Sequence, residues 1–454
     1  MTVLPMDGVT RAIAASARAI SFGSLPADVV VLARQCVLDW FGVTLAGANE
    51  PLARILRDEA LENGGNPQAT VIGRGMRTSM QQAALINGAA SHALDFDDVQ
   101  MTMSGHPSVP VIPALLALAE HRGASGADFI AAFVAGFEVE CRVGALVMPG
   151  HYSTGFHATG TLGTFGAAAA CAHLMGLSEE QWLNALGIAG AQAAGLKSMF
   201  GTMCKPLHAG KASANGLLAA TLAGRGFTSN PAVLEVAQGF AATQTATPNP
   251  ERALSGLGQE FAIRGVLFKY HAACYGTHET IEGVLRLKSE HGLQPGDIRQ
   301  IQLTVPRGNL AMCNIQEPAT ALEGKFSLRF TAALAMAGDD TSEQAFTDSA
   351  VRLPGLVELR DRVTVAAREK GAGTEVTITT TTGAELRTSV NLETPATDLE
   401  LQRARLEAKF ISLARPVIGE DAADALLARI SRLEGQQNMA ELVSLAVARQ
   451  GAAV

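Results

Sequence analysis

The sequence has few aromatic residues, few lysines and no cluster of basic residues. Aromatic side chains make up 5% of the 454 residues, and eight residues are lysine. The formal net charge is -8, whereas a protein that binds nucleic acid or an anionic membrane needs clustered Lys and Arg. We therefore expect no nucleic-acid partner and no membrane partner. An anionic ligand must meet a local group of cations.

The six cysteines are widely spaced and form no Cys-x-x-Cys pair. This spacing predicts neither a zinc knuckle nor a disulfide framework, and reduced thiols are typical of a cytoplasmic protein. Apolar runs such as residues 129–137 are far shorter than the roughly 20 residues that span a bilayer. The first residues also lack a basic and then apolar leader. We predict a cytoplasmic protein.

Helical periodicity dominates both ends of the chain. Apolar residues keep helical spacing over residues 26–46, and Ala- and Gly-rich helical stretches follow at about residues 79–94, 111–121, 127–147, 162–174, 178–194 and 207–222. The same pattern returns at residues 399–414, 420–433 and 439–449. The fold is predicted to be mainly α, with one large all-helical domain formed by residues 1–266 and 398–454.

The pattern changes between these two helical parts. Apolar residues alternate with polar ones in residues 301–305 and 375–390, which predicts strands, with a hairpin turn at residues 382–385. Residues 342–351 and 356–362 are predicted to be helical. We expect residues 267–397 to form a smaller, inserted α+β lid domain, with a hinge near Lys269 and Thr394.

Two polar segments interrupt the first helical part. Residues 92–98 place Asp95, Asp97 and Asp98 within four positions, where like charges perturb one another's pKa, and His106 follows in a Gly-His-Pro-Ser string. Residues 150–160 are rich in glycine and contain His157, the stronger functional candidate of the two histidines there. Buried polar clusters of this kind are costly unless they serve a purpose.

Two further segments contain the lysines. Lys205 precedes a proline at a helix start, where a cation opposes the helix dipole, so a role facing an anion is favoured over a stabilising one. Lys269 opens a segment that also contains Cys274 and His278, but its spacing matches no zinc site. We therefore expect no metal.

These groups favour acid/base chemistry on a small anion. The sequence contains no nucleotide-binding loop, flavin fingerprint or Gly-x-Ser-x-Gly elbow. Removing a proton next to a carboxylate creates an enediolate-like dianion, which fixed cations and hydrogen-bond donors must stabilise.

The same segments resemble the MmgE/PrpD family, and the likeness extends in order from about residue 10 to residue 410. The matching strings are residues 92–98 (HALDFDD), 105–108 (GHPS), 155–159 (GFHAT), 201–210 (GTMCKPLHAG), 268–269 (FK), 274–278 (CYGTH) and 324–328 (GKFSL). The resemblance implies a homodimer that acts on a small polycarboxylate without a cofactor. It also implies a helical domain built from both chain ends with an α+β lid.

The resemblance also implies which residues form the site. Asp95, His106, His157, Lys205 and Lys269 correspond to the family's active-site positions and are the expected catalytic residues. Polar neighbours in or beside the same strings are the expected substrate-binding residues: Ser108, Thr159, His208, Lys211, Cys274 and His278.

The family contains several reactions, and we expect a lyase resembling 2-methylcitrate dehydratase. The close alternative is an epimerase of an iminodisuccinate-like dicarboxylate, because the spacing from Asp98 to His106 is similar to that branch. Decarboxylation of cis-aconitate is disfavoured, since Val99 and Cys274 replace a threonine and a histidine of that branch. Phe330 also replaces a frequent tyrosine.

Two other hypotheses come from different classes of protein. The Asp-x-Asp-Asp string at residues 95–98 also occurs in helical terpene cyclases, but such enzymes need an aromatic pocket for carbocations. A non-catalytic binding protein that keeps the fold is the other alternative, and variants of Lys205 and His106 would distinguish it.

Overall fold

A computed structural model describes residues 8–338, 340–369 and 372–448. The outer ends of the predicted helical domain, residues 1–7 and 449–454, therefore lie outside the described residues. The chain divides into two compact units. Unit 1 comprises Met1–Phe268 and Ala396–Val454, and unit 2 comprises Lys269–Pro395.

Unit 1 consists mainly of helices, which confirms the predicted mainly α class. In its first segment they are α1 (Val9–Arg18), α2 (Ala27–Gly47), α3 (Pro51–Asn63), α4 (Met80–Ser91), α5 (Ser108–Arg122), α6 (Gly126–Val147), α7 (Gly150–Thr154), α8 (Ala158–Leu174), α9 (Glu179–Gln192), α10 (Cys204–Gly224), α11 (Phe240–Gln244) and α12 (Pro250–Leu254). The predicted helices in this segment are present, with ends shifted by up to four residues.

The helices of unit 1 approach closely where glycines face each other. A Cβ atom on Gly88 of α4 would lie 2.8 Å from the Cα of Gly210 in α10, and one on Gly136 of α6 would lie 2.6 Å from the carbonyl oxygen of Gly166 in α8. Any side chain there would force the helices apart. The Ala- and Gly-rich composition therefore permits a dense core around α4, α8 and α10.

Unit 1 was predicted to be all-helical, but it also contains short strands. It contains two antiparallel ladders, formed by β1 (Ala69–Thr70) with β2 (Arg77–Thr78) and by β3 (Val99–Gln100) with β4 (Val266–Leu267). Each strand has two residues, too few for a period-2 pattern to be visible in the sequence. The second ladder joins the chain just after residue 98 to the end of the first segment.

The C-terminal segment of unit 1 contains α18 (Leu399–Ile418), α19 (Glu420–Ile430) and α20 (Met439–Val443). Helix α18 packs along α2, where the side-chain amide of Gln402 donates to that of Gln35 at 2.7 Å. Helix α20 is much shorter than the predicted helix over residues 439–449, whose last residue lies outside the described part of the chain. A short 3₁₀ turn at Ser444–Ala446 follows it.

Among the described residues, α2 has the length and apolar composition of a membrane-crossing helix. However, 78% of its apolar window is buried inside the structure. Core helices of folded proteins pass the same test of length and composition.

Unit 2 combines a four-stranded sheet with helices. The strands are β5 (Ile298–Pro306), β6 (Val363–Arg368), β7 (Thr374–Thr380) and β8 (Glu385–Val390), in the order β6-β5-β7-β8. Strands β5 and β6 are parallel and the other pairs antiparallel. The helices are α13 (Tyr275–His291), α14 (Arg307–Met312), α15 (Ala321–Lys325), α16 (Leu328–Ala337) and α17 (Pro354–Asp361).

The predicted helix over residues 342–351 is wrong. The structure has two 3₁₀ turns there, Glu343–Ala345 and Ala350–Arg352. Short polar side chains take up the local backbone donors instead: Thr347 accepts from the amide of Ala350 at 3.0 Å, and Asp340 accepts from that of Ser342 at 2.8 Å. Such bonds compete with a helix.

Candidate active site

The three carboxylates of residues 95–98 face three different partners in unit 1. Asp95 forms an ion pair with Lys205, at 2.8 Å between Oδ1 and Nζ. Asp98 accepts from the hydroxyl of Ser108 at 2.5 Å and from its backbone amide at 3.2 Å. Asp97 is held by histidines. The three carboxylates thus lie in three different environments.

Asp97 lies between two imidazoles. Its Oδ2 is 2.9 Å from Nδ1 of His92 and 2.9 Å from Nδ1 of His106. A carboxylate can only accept, so the Nδ1 of each histidine carries a proton. The Nδ1 of His106 also lies 2.8 Å from the carbonyl oxygen of Asp98. Nε2 of His106 points towards Asp95, 3.7 Å from Oδ1.

Burial determines the charges of this group. Burial opposes ionisation of Asp97, but His106 and His92 outweigh it and hold its pKa well below the ordinary range. Burial lowers the pKa of His92 to about 4, against the attraction of Asp97. For Asp98, burial and then nearby Asp39 raise the pKa to about 8. At neutral pH the group therefore contains an ionised Asp97, a neutral His92 and a protonated Asp98.

The Asp95 side chain is the accessible carboxylate of the three. The backbone of Asp95 has a φ of 52°. This left-handed conformation is strained for most residues, and Asp and Asn tolerate it best. Strained backbone of this kind is often found at functional sites. Lys205 lies in the first turn of α10, and its Nζ is 5.6 Å from the ring centroid of Phe200.

His157 adds a third imidazole next to those of His92 and His106. It is the buried residue just before α8, and its ring stacks on that of His92 with centroids 5.8 Å apart. Its Nδ1 lies 3.0 Å from Nδ1 of His208 on α10, and Phe200 packs edge-on against its ring. Burial, then His92 and Lys205, hold the pKa of His157 far below its ordinary value. The ring is therefore neutral at rest, with one nitrogen lone pair able to accept a proton.

Two predicted substrate-binding residues, Thr159 and Ser108, form hydrogen bonds with other residues of the site. Thr159 is fully buried, and its hydroxyl accepts from the backbone amide of His106 at 3.1 Å. Ser108 is buried on Asp98. Both side chains thus help to fix the segments that contain His106 and Asp98. Lys211 is exposed on α10, and no contact with this group is recorded for it among the described residues.

Three predicted residues lie in unit 2, where they are described by themselves. Lys269 is 1% exposed, and Cys274 has its sulfur 3.3 Å from that of Met312. The Nε2 of His278 is 3.0 Å from the carbonyl oxygen of Ala273, which identifies Nε2 as the donor. The His278 ring lies 5.1 Å from that of His271.

Sequence reasoning assigns no roles to His92, Asp97 or Phe200. For the first two a signal is present, because they lie five residues apart in the string that carries Asp95. The sequence does not show that the turn between them brings the two side chains into hydrogen-bond contact. Nothing in the local sequence distinguishes Phe200 from an ordinary loop residue.

Four of these groups also resemble a metal-ligand set. The donor atoms of His92, Asp95, Asp97 and His106 all lie within 4.8 Å of one another. The hydrogen bonds of Asp97 and the ion pair from Asp95 to Lys205 satisfy the same carboxylates without an ion. A cation would have to displace the ammonium group of Lys205, so the donor set fits a proton-transfer network better than a metal centre.

Comparison with known proteins gives matches over both units. The model of the MmgE/PrpD N-terminal domain matches residues 11–253, and that of the MmgE/PrpD C-terminal domain matches residues 271–434. The cis-aconitate decarboxylase of Homo sapiens is 27% identical over 462 residues, covering 97% of this chain and 95% of that protein.

Fungal relatives are similarly distant. The cis-aconitate decarboxylase-like protein oryM of Aspergillus oryzae is 27% identical, with 93% of each chain covered. The cis-aconitate decarboxylase of Aspergillus terreus is 26% identical, covering 80% of this chain and 79% of that protein. Since the N-terminal family model alone spans more than half of the sequence, this chain belongs to the MmgE/PrpD family.

Proposed function

We propose that this protein is a cofactor-independent lyase that moves a proton at a carbon next to a carboxylate of a small di- or tricarboxylate. The observation that carries the proposal is the convergence of an Asp95–Lys205 ion pair with His106 and with the neutral imidazole of His157. Membership of a family with decarboxylase relatives supports the lyase class.

In this proposal Lys205 binds a substrate carboxylate in place of Asp95 and stabilises the enediolate-like charge. The neutral imidazole of His157 takes the proton from carbon, and His106 holds a substrate carboxylate beside Lys205. In dehydration the electron pair then expels the β-hydroxyl, which leaves as water after protonation, and a carbon–carbon double bond forms. Lys269 is proposed as a second cation on the strength of the family resemblance.

Dehydration is our first choice, because the site combines the neutral base His157 with a separate cationic group, Lys205, that can assist a leaving hydroxide. Decarboxylation of a cis-aconitate-like substrate is the second candidate, favoured by the names of the relatives. There a carbon–carbon bond breaks, carbon dioxide leaves and the carbon gains a proton. Epimerisation would return the proton from the opposite face.

Proton NMR in deuterium oxide tests the proposal directly. The purified protein is incubated with 2-methylcitrate, citrate, cis-aconitate, iminodisuccinate and related hydroxy diacids. We expect deuterium to enter beside a carboxylate, and a new alkene signal, loss of carbon dioxide or a new epimer identifies the reaction. Silence across the whole panel from folded protein refutes the proposal.

A pair of variants assigns the activity to this site. We expect Lys205→Met to lower exchange by at least about 100-fold, because a fixed cation at the developing charge typically contributes that much. Arg225→Met removes an exposed cation just beyond the other end of α10 and should leave exchange unchanged. Equal activity of the Lys205 variant and the wild type would show that the chemistry lies elsewhere.

A further inference from the structure

His157 and His208 face each other through the same ring atom. The two Nδ1 atoms are 3.0 Å apart, and the ring centroids are 5.2 Å apart. Two lone pairs or two N–H groups would repel at this distance, so one Nδ1 donates and the other accepts. The pair is therefore joined by one shared proton.

Two glycines make this meeting possible. A Cβ atom on Gly160 of α8 would lie 3.0 Å from the Cβ of His208 and 2.5 Å from the carbonyl oxygen of Ala194. Gly195 has φ of 153°, and a Cβ on it would lie 3.3 Å from that of His157 and 3.4 Å from Nδ1 of His208. The backbone around the pair is thus shaped to bring the rings together.

The surroundings oppose a lasting positive charge on His157. The His157 side chain is buried, at 2% exposure of the residue, and the neighbouring groups whose positive charge would repel a charge on it are His92, Lys205, His106 and His208 itself. His208, in contrast, is half-buried, with part of its side chain in contact with solvent. A proton gained by His157 is therefore more stable on His208 than on His157.

The ring geometry leaves one nitrogen of His157 for substrate. Nδ1 is occupied by His208, and no hydrogen bond to Nε2 is recorded within the described residues. A basic Nε2 requires the proton on Nδ1, which makes His157 the donor and His208 the acceptor. This is the arrangement in which a base is oriented by a second group through its other nitrogen.

The geometry points to His208 as the proton-relay partner of His157, a positioning residue rather than a substrate contact. The inference rests on the proposed function. Nε2 of His157 takes the proton from the substrate carbon, and the Nδ1 proton of His157 passes to Nδ1 of His208. His208 then releases its Nε2 proton to water. The reverse sequence returns a proton to the site, so charge and protons balance.

Two substitutions distinguish a relay from a structural contact. His208→Asn places an amide at the position of Nδ1 and keeps a hydrogen bond to His157, but it cannot take up a proton. His208→Ala removes the bond as well. A relay predicts that both variants lose about 100-fold in kcat with KM within about twofold. A structural role predicts that the Asn variant stays active.

Imidazole rescue provides a second readout. Because His208 is partly accessible, free imidazole should enter the space left in His208→Ala and restore kcat at least tenfold, while the filled site of His208→Asn gains little. The control is His173→Asn, which alters a partly buried histidine whose Nε2 bonds the carbonyl oxygen of Ile20 in another part of unit 1. It should neither lose activity nor respond to imidazole.

Failure of the relay and failure of the proposed function give different results. If the wild type turns over a substrate and His208→Asn is equally fast, the relay is overturned and the lyase stands. If the wild type is silent on every substrate, nitrogen NMR of protein with ¹⁵N-labelled histidine still tests the pair. We expect Nδ1–H on His157 and Nε2–H on His208, and the opposite tautomers would overturn the relay.

Discussion

A lysine buried beneath the aspartate segment is predicted to carry a large part of the stability of unit 1. Nζ of Lys409 in α18 donates to Asp39 of α2 at 2.6 Å and to the carbonyl oxygen of Phe96 at 2.6 Å. The Lys409 and Asp39 side chains are 5% and 2% exposed. Removing one partner of such a pair leaves an uncompensated buried charge, which costs about 3–5 kcal/mol. That is a large share of the roughly 5–15 kcal/mol that stabilises a typical protein.

We expect Lys409→Met to lower the free energy of unfolding by about 3–5 kcal/mol. Asp39→Asn combined with Lys409→Met should recover most of that loss, because both charges of the pair are then removed. Urea unfolding followed by tryptophan fluorescence measures the effect, since both tryptophans, Trp40 and Trp182, lie in unit 1. The matched control is Arg415→Met on the same helix. It removes exposed pairs with Glu420 and Asp424 and should cost less than about 1 kcal/mol.

The double variant also separates stability from activity. A methionine side chain cannot donate a hydrogen bond, so the variant loses the bond from Lys409 to the carbonyl oxygen of Phe96, which lies between Asp95 and Asp97. We expect a stable protein whose kcat is roughly tenfold to hundredfold lower, as for a small displacement of catalytic groups. A Lys409→Met variant within about 1 kcal/mol of the wild type, or a double variant no more stable than the single one, would refute the reasoning.

Three further predictions concern the site. Asp97→Asn removes the anion that accepts from the Nδ1–H groups of His92 and His106 and so orients both rings. We therefore expect kcat to fall roughly 10²- to 10⁴-fold in steady-state assays while the unfolding transition persists, and a loss below about tenfold contradicts the assignment. Burial raises the pKa of Asp98 from 3.8 to about 8, so its contribution to stability is full below pH 3.8 and is lost as pH rises through 8. Urea unfolding between about pH 6.5 and 8 should therefore show a fall of roughly 1 kcal/mol per pH unit relative to Asp98→Asn, and parallel curves would be the contrary result. Cys204 is exposed and the other five cysteines are buried, so a thiol reagent should label one cysteine quickly in the native protein and none in Cys204→Ser.

The helices can be predicted where periodicity is strong, as in α2, and the acid/base candidates can be identified because polar strings interrupt apolar helices. The helix predicted over residues 342–351 is wrong because side-chain bonds to nearby amides are not visible in hydropathy. Strand β6 is absent from the sequence-based prediction, since its partner β5 is distant in sequence and parallel to it. Such pairing depends on tertiary contacts.

The role of each site residue is less predictable than its presence. Asp97 and Asp98 are neighbours in sequence, yet one is ionised between two histidines and the other is protonated on Ser108. Only the fold determines which side chains surround each carboxylate. The buried Lys409 lies 370 residues from its partner Asp39, so no local pattern indicates their contact.

Because Lys409 lies late in the sequence, its contacts with Asp39 and Phe96 form only near the end of synthesis. A ribosome completes Asp39 and Phe96 early, and it makes about 140 residues between Phe268 and Lys409 before the anchoring lysine exists. At typical elongation rates this interval lasts roughly 7 to 30 s. During this interval, Phe410 cannot yet pack against Gly42 of α2, and the Asp39 carboxylate lacks the ammonium group of Lys409. Until α18 has been synthesised and docks, unit 1 therefore lacks these contacts, and the uncovered face of α2 is accessible to a chaperone.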